Sequence, residues 1–480
     1  MGDSESVLIT TRTCGTVEPP PSEHEPVTDK LLYPNTDNAA LLAKQKDYLI
    51  RFGAGDHDTH KDIICGASGP YVYTASGRPI LDFTSGQMSC LLGHGHPEIV
   101  QAISSHASRL DHLFSGFVSP PVVNAAERLI HFLATPGLDK TFFLSTGGES
   151  NEAAIKMAKV YTGKFEIVGL GGSWHGVTSS AASAQYHFGR RGQGPLMPGS
   201  HMLPAPNAYR SVFRKPDDGS YDWEAELDYG WRLIDAASCG SLAACIVECV
   251  QSSGGMHVLP GGYLRALKRN CERRGMLLIV DEAQTGVGRC GENVCVNHPD
   301  NEGVVPDILT LSKTLGNGIP LSAVVTSREI EQVVFERGYL FYTTHVNDPL
   351  PAAVADKVLE IVVRDELVMH ARKMGEVLQA GLRRLGEKYG CVGEVRGRGL
   401  LVGIEIVKDR ESKEPAVELA KRIGEKAYEL GILCNLATHP SFGGVFRIAP
   451  PITVTEKEIG EALEILDQAF TSQPDSLPLE

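Results

Sequence analysis

Lys313 sits in Leu311-Ser312-Lys313-Thr314-Leu315-Gly316-Asn317-Gly318, after an apolar run and before small residues, and upstream Asp281 opens Asp281-Glu282-Ala283-Gln284-Thr285-Gly286. A lysine amine condenses with an aldehyde, and a buried aspartate keeps a heterocyclic nitrogen protonated so that the ring accepts electrons. Together the two residue types fit pyridoxal phosphate chemistry; neither does so alone. Taken singly, Lys313 reads as a surface lysine at a helix start, and Asp281 as a carboxylate capping the next turn. Context favours the chemical reading. Pro306 to Leu311 reads as a strand whose C-terminal end is where α/β sheets place ligands, and Gly316 and Gly318 allow close backbone approach. Met276 to Val280 reads as an interior strand that delivers Asp281 to the same edge, where an unpaired carboxylate is expensive. Gln284, three residues on, has the reach to meet a phenolic oxygen of the ring.

Further candidates follow other strands. Ser145-Thr146-Gly147-Gly148-Glu149-Ser150-Asn151-Glu152 comes after Thr141 to Leu144 and opens a helix, so its free amides form an anion cradle suited to a phosphate. An ordinary N-cap uses the same residues. Gly172-Ser173-Trp174-His175-Gly176 follows Phe165 to Val168 and offers an indole to stack on a flat pyridine ring. A core tryptophan beside a structural histidine explains that pair equally well. Arg447, within Val445-Phe446-Arg447-Ile448-Ala449, is suited to a bidentate grip on a substrate carboxylate, or else to an internal ion pair. Gln87, in Thr84-Ser85-Gly86-Gln87-Met88-Ser89, is a second amide candidate with no weight as a lone glutamine.

The elements that must position these residues alternate. Strands are expected at Thr141 to Leu144, Phe165 to Val168, Ala243 to Glu248, Leu277 to Val280, Ile308 to Leu311 and Ser322 to Val325, separated by helices, as in a largely parallel sheet covered on both faces. A helix over Asn38 to Phe52 and a hairpin around Ser76-Gly77 precede them. After Asp365 the pattern turns to mixed helices and strands, including a long amphipathic helix from Glu366 to Tyr389. The expected class is α/β, divided into a mobile N-terminal tail at 1–37, a small-domain segment at 38–85, a large domain at 86–364 and the rest of the small domain at 365–480.

Composition excludes several classes. The formal charge of -14 on 480 residues opposes general affinity for nucleic acid or anionic membranes. No apolar run reaches the roughly 20 residues that span a bilayer. The 11 cysteines are scattered without CxxC pairs, which fits reduced thiols and a cytoplasmic location.

With these residues in view, the chain resembles the class III aminotransferases, which are fold-type I pyridoxal phosphate enzymes, and within them the 2,2-dialkylglycine-decarboxylating branch. The resemblance runs from about Asn38 to Phe470 on DFTSGQMS (Asp82 to Ser89), LGHGHPEI (Leu92 to Ile99), LSTGGESNEAAI (Leu144 to Ile155), DEAQTGVGR (Asp281 to Arg289), PDILTLSKTLGNGIPL (Pro306 to Leu321), FYTTHVNDPLPAA (Phe341 to Ala353), VRGRGLL (Val395 to Leu401) and GGVFRIAPP (Gly443 to Pro451). It implies a large domain with a mainly parallel seven-stranded sheet and a smaller α+β domain built from both chain ends. It implies that Lys313 carries the cofactor and moves protons, that Asp281 pairs with the ring nitrogen, and that Trp174, beside His175, stacks on the ring. Gln284 would meet the phenolic oxygen, and Thr146, Gly147 and Gly148 would hold the phosphate. Thr344 would serve the neighbouring subunit's site, so homodimers, often paired into tetramers, are implied.

The decarboxylating branch adds narrower expectations. Gln87 would hold the departing carboxylate perpendicular to the ring, and Arg447 the carboxylate lying near its plane. The substrates would be 2,2-dialkylglycines such as 2-aminoisobutyrate, with pyruvate as amino acceptor; plain transfer from an ω-amino acid or amine is the alternative. An alkali cation, potassium, would take the carbonyls of Leu113, Thr344 and Val346 together with Ser115 and Asp348. Two departures stand out: Cys249 replaces a proline common in the family, and Gln251-Ser252-Ser253-Gly254-Gly255 lacks the acid frequent in ω-amino acid transaminases. Asn435 to Phe442 is also unconventional and is expected to shape the substrate pocket.

Overall fold

The computed structural model describes residues 28–34, 36–51, 62–186, 194–439 and 443–473. Its largest sheet has seven strands in the order Lys140–Leu144, Ser322–Thr326, Ile308–Leu311, Leu277–Asp281, Leu242–Val247, Glu166–Leu170 and Ser200–Leu203. Ser322–Thr326 runs antiparallel to both neighbours, and the other pairings are parallel. The fold is therefore α/β with a mainly parallel sheet. Five of these strands are buried at every position, as a sheet covered on both faces requires.

Burial explains how a charged residue can end such a strand. Leu278, Ile279 and Val280 are each fully enclosed, and each contributes roughly 1.5–3 kcal/mol. Together they offset a desolvation penalty of several kcal/mol for Asp281. Ser200–Leu203, an edge strand, is absent from the sequence expectation because Ser-His-Met-Leu carries too short an apolar run and pairs on one side only.

The ends of the chain build two four-stranded sheets. Ile64–Ser68, Tyr71–Thr74 and Pro79–Asp82 form an antiparallel set, and Ile432–Leu433 joins it in parallel, Ile432 opposite Leu81. Val392–Arg398, Leu401–Ile406, Gly443–Ile448 and Asn435–His439 make an antiparallel sheet. Asn435–His439 pairs directly with the strand that carries Arg447, Asn435 opposite Arg447. Helices Leu367–Lys388, Val417–Leu430 and Glu456–Thr471 cover these sheets, the last opened by a reciprocal capping box between Thr455 and Glu458.

Residues 1–27 lie outside the described residues, but Thr28–Lys30 forms a 3-10 turn and Leu32 donates its N–H to the Cys65 carbonyl at 2.8 Å. The reason is steric as well as polar: a Cβ on Gly66 would meet the Lys30 carbonyl oxygen at 2.1 Å, so only glycine admits this close docking. The following helix, Asn38–Tyr48, is shorter than expected and buries none of its side chains.

Candidate active site

The C-terminal ends of adjacent strands bring the predicted groups together. A cavity of about 350 Å³ is lined by Thr146, Gly147, Gly148, Trp174, His175, Asp281, Ala283, Ser312 and Lys313 among others. Lys313 opens a 3-10 turn at φ 35, a left-handed backbone that a side chain disfavours by roughly 1–2 kcal/mol. Strain of this kind persists where surrounding structure over-determines it. Burial lowers the Lys313 pKa, the charges of Asp281 and Glu248 work against that shift, and Arg447 adds to it.

Asp281 is the best-satisfied group in the cavity. Its Oδ2 accepts from Asn151 Nδ2 at 2.8 Å and from His175 Nδ1 at 2.9 Å, and its Oδ1 accepts from the Ala283 N–H at 3.0 Å. Burial alone would raise its pKa, but these donors and the His175 ring hold it below the usual carboxylate range. Asn151 also donates to the His175 carbonyl at 2.8 Å and accepts from Thr310 at 2.8 Å, so it locks three strand ends into one network. Sequence reasoning overlooked Asn151; its place on the first turns of a cavity-lining helix was the available signal.

The residues present fit pyridoxal phosphate. Asp281 keeps an ionised oxygen for a ring nitrogen, and two buried polar atoms nearby, His175 Nε2 and Gln284 Oε1, have no protein partner among the described residues. At the other end Thr146 caps the Gly147–Thr162 helix, accepting from the Glu149 N–H at 3.3 Å, which leaves the glycine amides at a positive helix end. A Cβ on Gly147 would meet Ser312 Oγ at 2.8 Å, and one on Gly176 would meet Gly148 Cα at 2.6 Å, so glycine keeps this cradle open and tightly joined. Gln284 itself is buried but does not line the cavity.

Arg447 approaches from the neighbouring sheet. Its Nε donates to Asn435 Oδ1 at 2.9 Å and its Nη1 to Ser253 Oγ at 3.3 Å, and no carboxylate lies within ion-pair distance among the described residues. Burial lowers its pKa to about 10, and Glu248 opposes the shift. The internal ion pair considered from sequence is thus not formed. Of the expected Asn435 to Phe442 pocket segment, residues 440–442 lie outside the described residues.

Other expected residues lie apart from the cavity. Gln87 occupies a contorted turn, Ser85–Met88, with Ser85 at φ 40, Gly86 at φ 67 and Met88 at φ 62; its side chain is exposed and does not line the cavity. Ser89, two residues on, does. Arg289 anchors that turn: fully buried, it donates to Ser85 Oγ at 3.2 Å and to the Pro450 carbonyl. Thr344 is exposed and does not line this cavity.

The expected alkali-cation ligands centre on Asp348, which is buried, while Leu113, Ser115 and Val346 are half-buried. Both Asp348 oxygens already accept hydrogen bonds at 2.7 Å, one from His112 Nδ1 and one from His345 Nδ1. His112 reaches Asp348 only through the fold, which hid it in the sequence, whereas His345 lies three residues before Asp348. A potassium ion there would have to share the carboxylate with both imidazoles, so the set is less purely oxygen than expected.

A lysine and a donor-rich aspartate at adjacent strand ends of a mainly parallel sheet, beside a helix-end anion cradle, define a cofactor-dependent transferase of the aminotransferase type. Residues 54–470 match the family described as aminotransferase class-III. The chain is 53% identical over 423 residues to an uncharacterised aminotransferase of Schizosaccharomyces pombe, covering 88% of this chain and 93% of that one. It is 33% identical to a leucine/methionine racemase of Thermococcus litoralis over 83% of this chain and 88% of the other. Among solved structures, an (S)-enantioselective omega-transaminase from Thermomicrobium roseum superimposes with a TM-score of 0.80 at 31% identity, covering 90% of this chain and 98% of that one. The chain belongs to the class III aminotransferases, a family for which pyridoxal phosphate is the expected cofactor.

Proposed function

We propose that this protein transfers an amino group from an amino acid whose α-carboxylate is held by Arg447, and that it works in the decarboxylating mode on 2,2-dialkylglycines. The observation that carries the first part is Asp281, held ionised by three donors in the cavity that Lys313 enters. Bound pyridoxal phosphate supplies an aldehyde and an electron-accepting ring. Asp281 keeps a proton on the ring nitrogen, and Lys313 Nζ holds and returns protons at the reacting carbon. Thr146, Gly147 and Gly148 would hold the phosphate, and Trp174 would bound the ring face.

The decarboxylating part rests on less. The loop Gln251 to Gly255 lacks the acid frequent in ω-amino acid transaminases, and Arg447 Nη1 donates there to Ser253 Oγ at 3.3 Å in place of a carboxylate. Arg447 is therefore suited to grip an α-carboxylate. Gln87 would hold the departing carboxylate, which requires its turn to swing the exposed amide toward the cavity. A quaternary α-carbon has no proton to lose, so loss of CO2 is the route to its carbanion. Plain aminotransfer is the second reading, favoured by the names of the relatives, which include the Schizosaccharomyces pombe aminotransferase.

Two further proposals complete the picture. The protein works as a homodimer to which Thr344 contributes across the interface; exposed Phe114, Phe117, Leu340 and Tyr342 flank the His112–His345 contact and support a covered face. A potassium ion near Asp348 would tighten that region. Holoenzyme given 2-aminoisobutyrate and pyruvate should yield CO2, acetone and alanine in equal amounts, and more slowly when lithium replaces potassium. Alanine formed from other amines with no CO2 from 2-aminoisobutyrate would leave plain aminotransfer as the function.

A further inference from the structure

Asp348 is a buried carboxylate with no fixed cation beside it. Its side chain is 8% exposed, and among the described residues no lysine or arginine pairs with it. Taking such a charge out of water is expensive unless a cation or several donors meet it. What meets it is a pair of imidazoles, His112 Nδ1 at 2.7 Å from Oδ1 and His345 Nδ1 at 2.7 Å from Oδ2. The three side chains offer ligand atoms that all lie within 4.8 Å of one another. The ring centroids are 5.0 Å apart and the rings are tilted by 51°, so they converge on the carboxylate instead of stacking flat on each other.

The acid sits on anchored backbone. Asn347, at φ 55, donates its N–H to the Phe143 carbonyl at 3.0 Å and through Oδ1 accepts from the Phe143 N–H at 2.9 Å. That clasp ties the residue before Asp348 to a strand of the main sheet, and the helix Pro349–Arg364 begins directly after it. The histidines are the adjustable partners, with side chains 45% and 57% exposed. A fixed acid flanked by two solvent-facing nitrogens gives an ion both a seat and an entry path.

We propose that His112, His345 and Asp348 bind one first-row divalent transition ion, zinc in the first instance. Imidazole nitrogen suits zinc and its neighbours, whereas hard cations take oxygen ligands. Two nitrogens and a carboxylate leave the remaining position to water, as in zinc sites with three protein ligands. Bonds of about 2.0–2.2 Å set neighbouring ligand atoms about 2.9–3.4 Å apart, so each Nδ1 need retreat by less than about 1 Å. Each Nδ1 then gives its lone pair to the ion, and each ring carries its proton on Nε2. Asp348 is also the carboxylate proposed above to serve potassium, so the two ions exclude one another and zinc opposes the potassium-bound form. That consequence rests on the potassium reading; the zinc site itself does not.

The test adds Zn2+ alone to the holoenzyme in tetramethylammonium buffer and follows binding by calorimetry. One ion per chain should bind at micromolar zinc, and His112→Gln and His345→Gln should each weaken it at least tenfold. Both side chains are exposed, so neither variant should disturb folding. Cobalt(II) reports the ligand chemistry: wild type should show d–d bands without the thiolate charge-transfer band that a site at the exposed Cys239 would give. No binding at micromolar zinc, affinity unchanged in both variants, or a thiolate band would overturn the proposal. Added potassium should then weaken zinc binding in wild type. Zinc held through both histidines yet indifferent to potassium would support the site and instead remove potassium from Asp348.

Discussion

Arg447 directs both Nε and Nη2 at one atom, Asn435 Oδ1, at 2.9 and 2.5 Å. The register of their strands places them opposite one another, so the amide fixes the guanidinium without neutralising it. A hydrogen bond to a charged group contributes about 1.5–3 kcal/mol. Asn435→Ala should therefore raise KM for amino acid and 2-oxo acid substrates by roughly ten- to a hundredfold, with a smaller change in kcat. Steady-state kinetics with 2-aminoisobutyrate and with pyruvate check this; an unaltered KM for both would remove Asn435 from carboxylate binding. Asn435→Asp should be worse than alanine, since it would pair Arg447 internally.

Asn151 holds Asp281 in its ionised form, and its loss should be felt by cofactor binding before catalysis. Asn151→Ala removes one of three donors from a buried carboxylate, a loss of about 1.5–3 kcal/mol. We expect cofactor release at least tenfold faster, read from the rate at which apoprotein accumulates on dilution. The pH dependence follows from sign. The Asp281 pKa is lowered from 3.8 in the folded chain, so its stabilising share is present above that value and is lost as pH falls through the folded pKa. Acid unfolding should thus begin at higher pH in Asn151→Ala than in wild type.

The contrast between these residues shows what a linear chain discloses. Lys313, Asp281 and the Thr146 turn were legible because each follows a buried strand, and a strand's end points its next residues at the sheet edge. Trp174 and His175 were legible for the same reason, though only the structure shows His175 holding Asp281. Asn151, Arg289 and His112 were not. Asn151 meets Asp281 across 130 residues, Arg289 meets Pro450 across 161, and His112 meets Asp348 across 236, pairings that no local periodicity encodes. The seventh strand, Ser200–Leu203, escaped for a different reason: an edge strand needs little apolar content. Gln87 shows the converse, a motif position whose neighbours were identifiable but whose exposed side chain depends on a contorted turn.

His94 and Asp82 predict a second pH effect, at the alkaline side. His94 Nε2 lies 3.0 Å from Asp82 Oδ2, and the side chains are 16% and 2% exposed. Burial disfavours the imidazolium, but hydrogen bonds to Asp82 and Cys90 prevail and raise its pKa from 6.5 to about 10. A raised pKa contributes stability that is complete below 6.5 and is lost as pH climbs through about 10. Chemical denaturation should record a loss of about 2 kcal/mol across that interval after allowing for solvent screening. His94→Asn should flatten the profile; a wild-type stability constant over the interval would show that the pair does not titrate in this way.

Arg289 separates stability from function. It is fully buried, with its pKa lowered by burial to about 10, and its contacts are a hydroxyl and carbonyls rather than a carboxylate. Replacing a buried charge with an apolar side chain of similar size recovers desolvation energy but leaves the Pro450 carbonyl short of a donor, and these effects are opposite in sign and each of the order of a few kcal/mol. Arg289→Met should therefore change the melting temperature little. Its effect should fall on geometry, because Arg289 joins the Ser85–Met88 turn to the segment that follows Arg447, and the left-handed backbone of Ser85 and Met88 would relax once that tie is cut. We expect kcat/KM to fall at least tenfold while Lys313 still takes up cofactor normally, read from the cofactor's absorbance. A variant that melts far lower, or one with full activity, would show that Arg289 supports the core and not the turn.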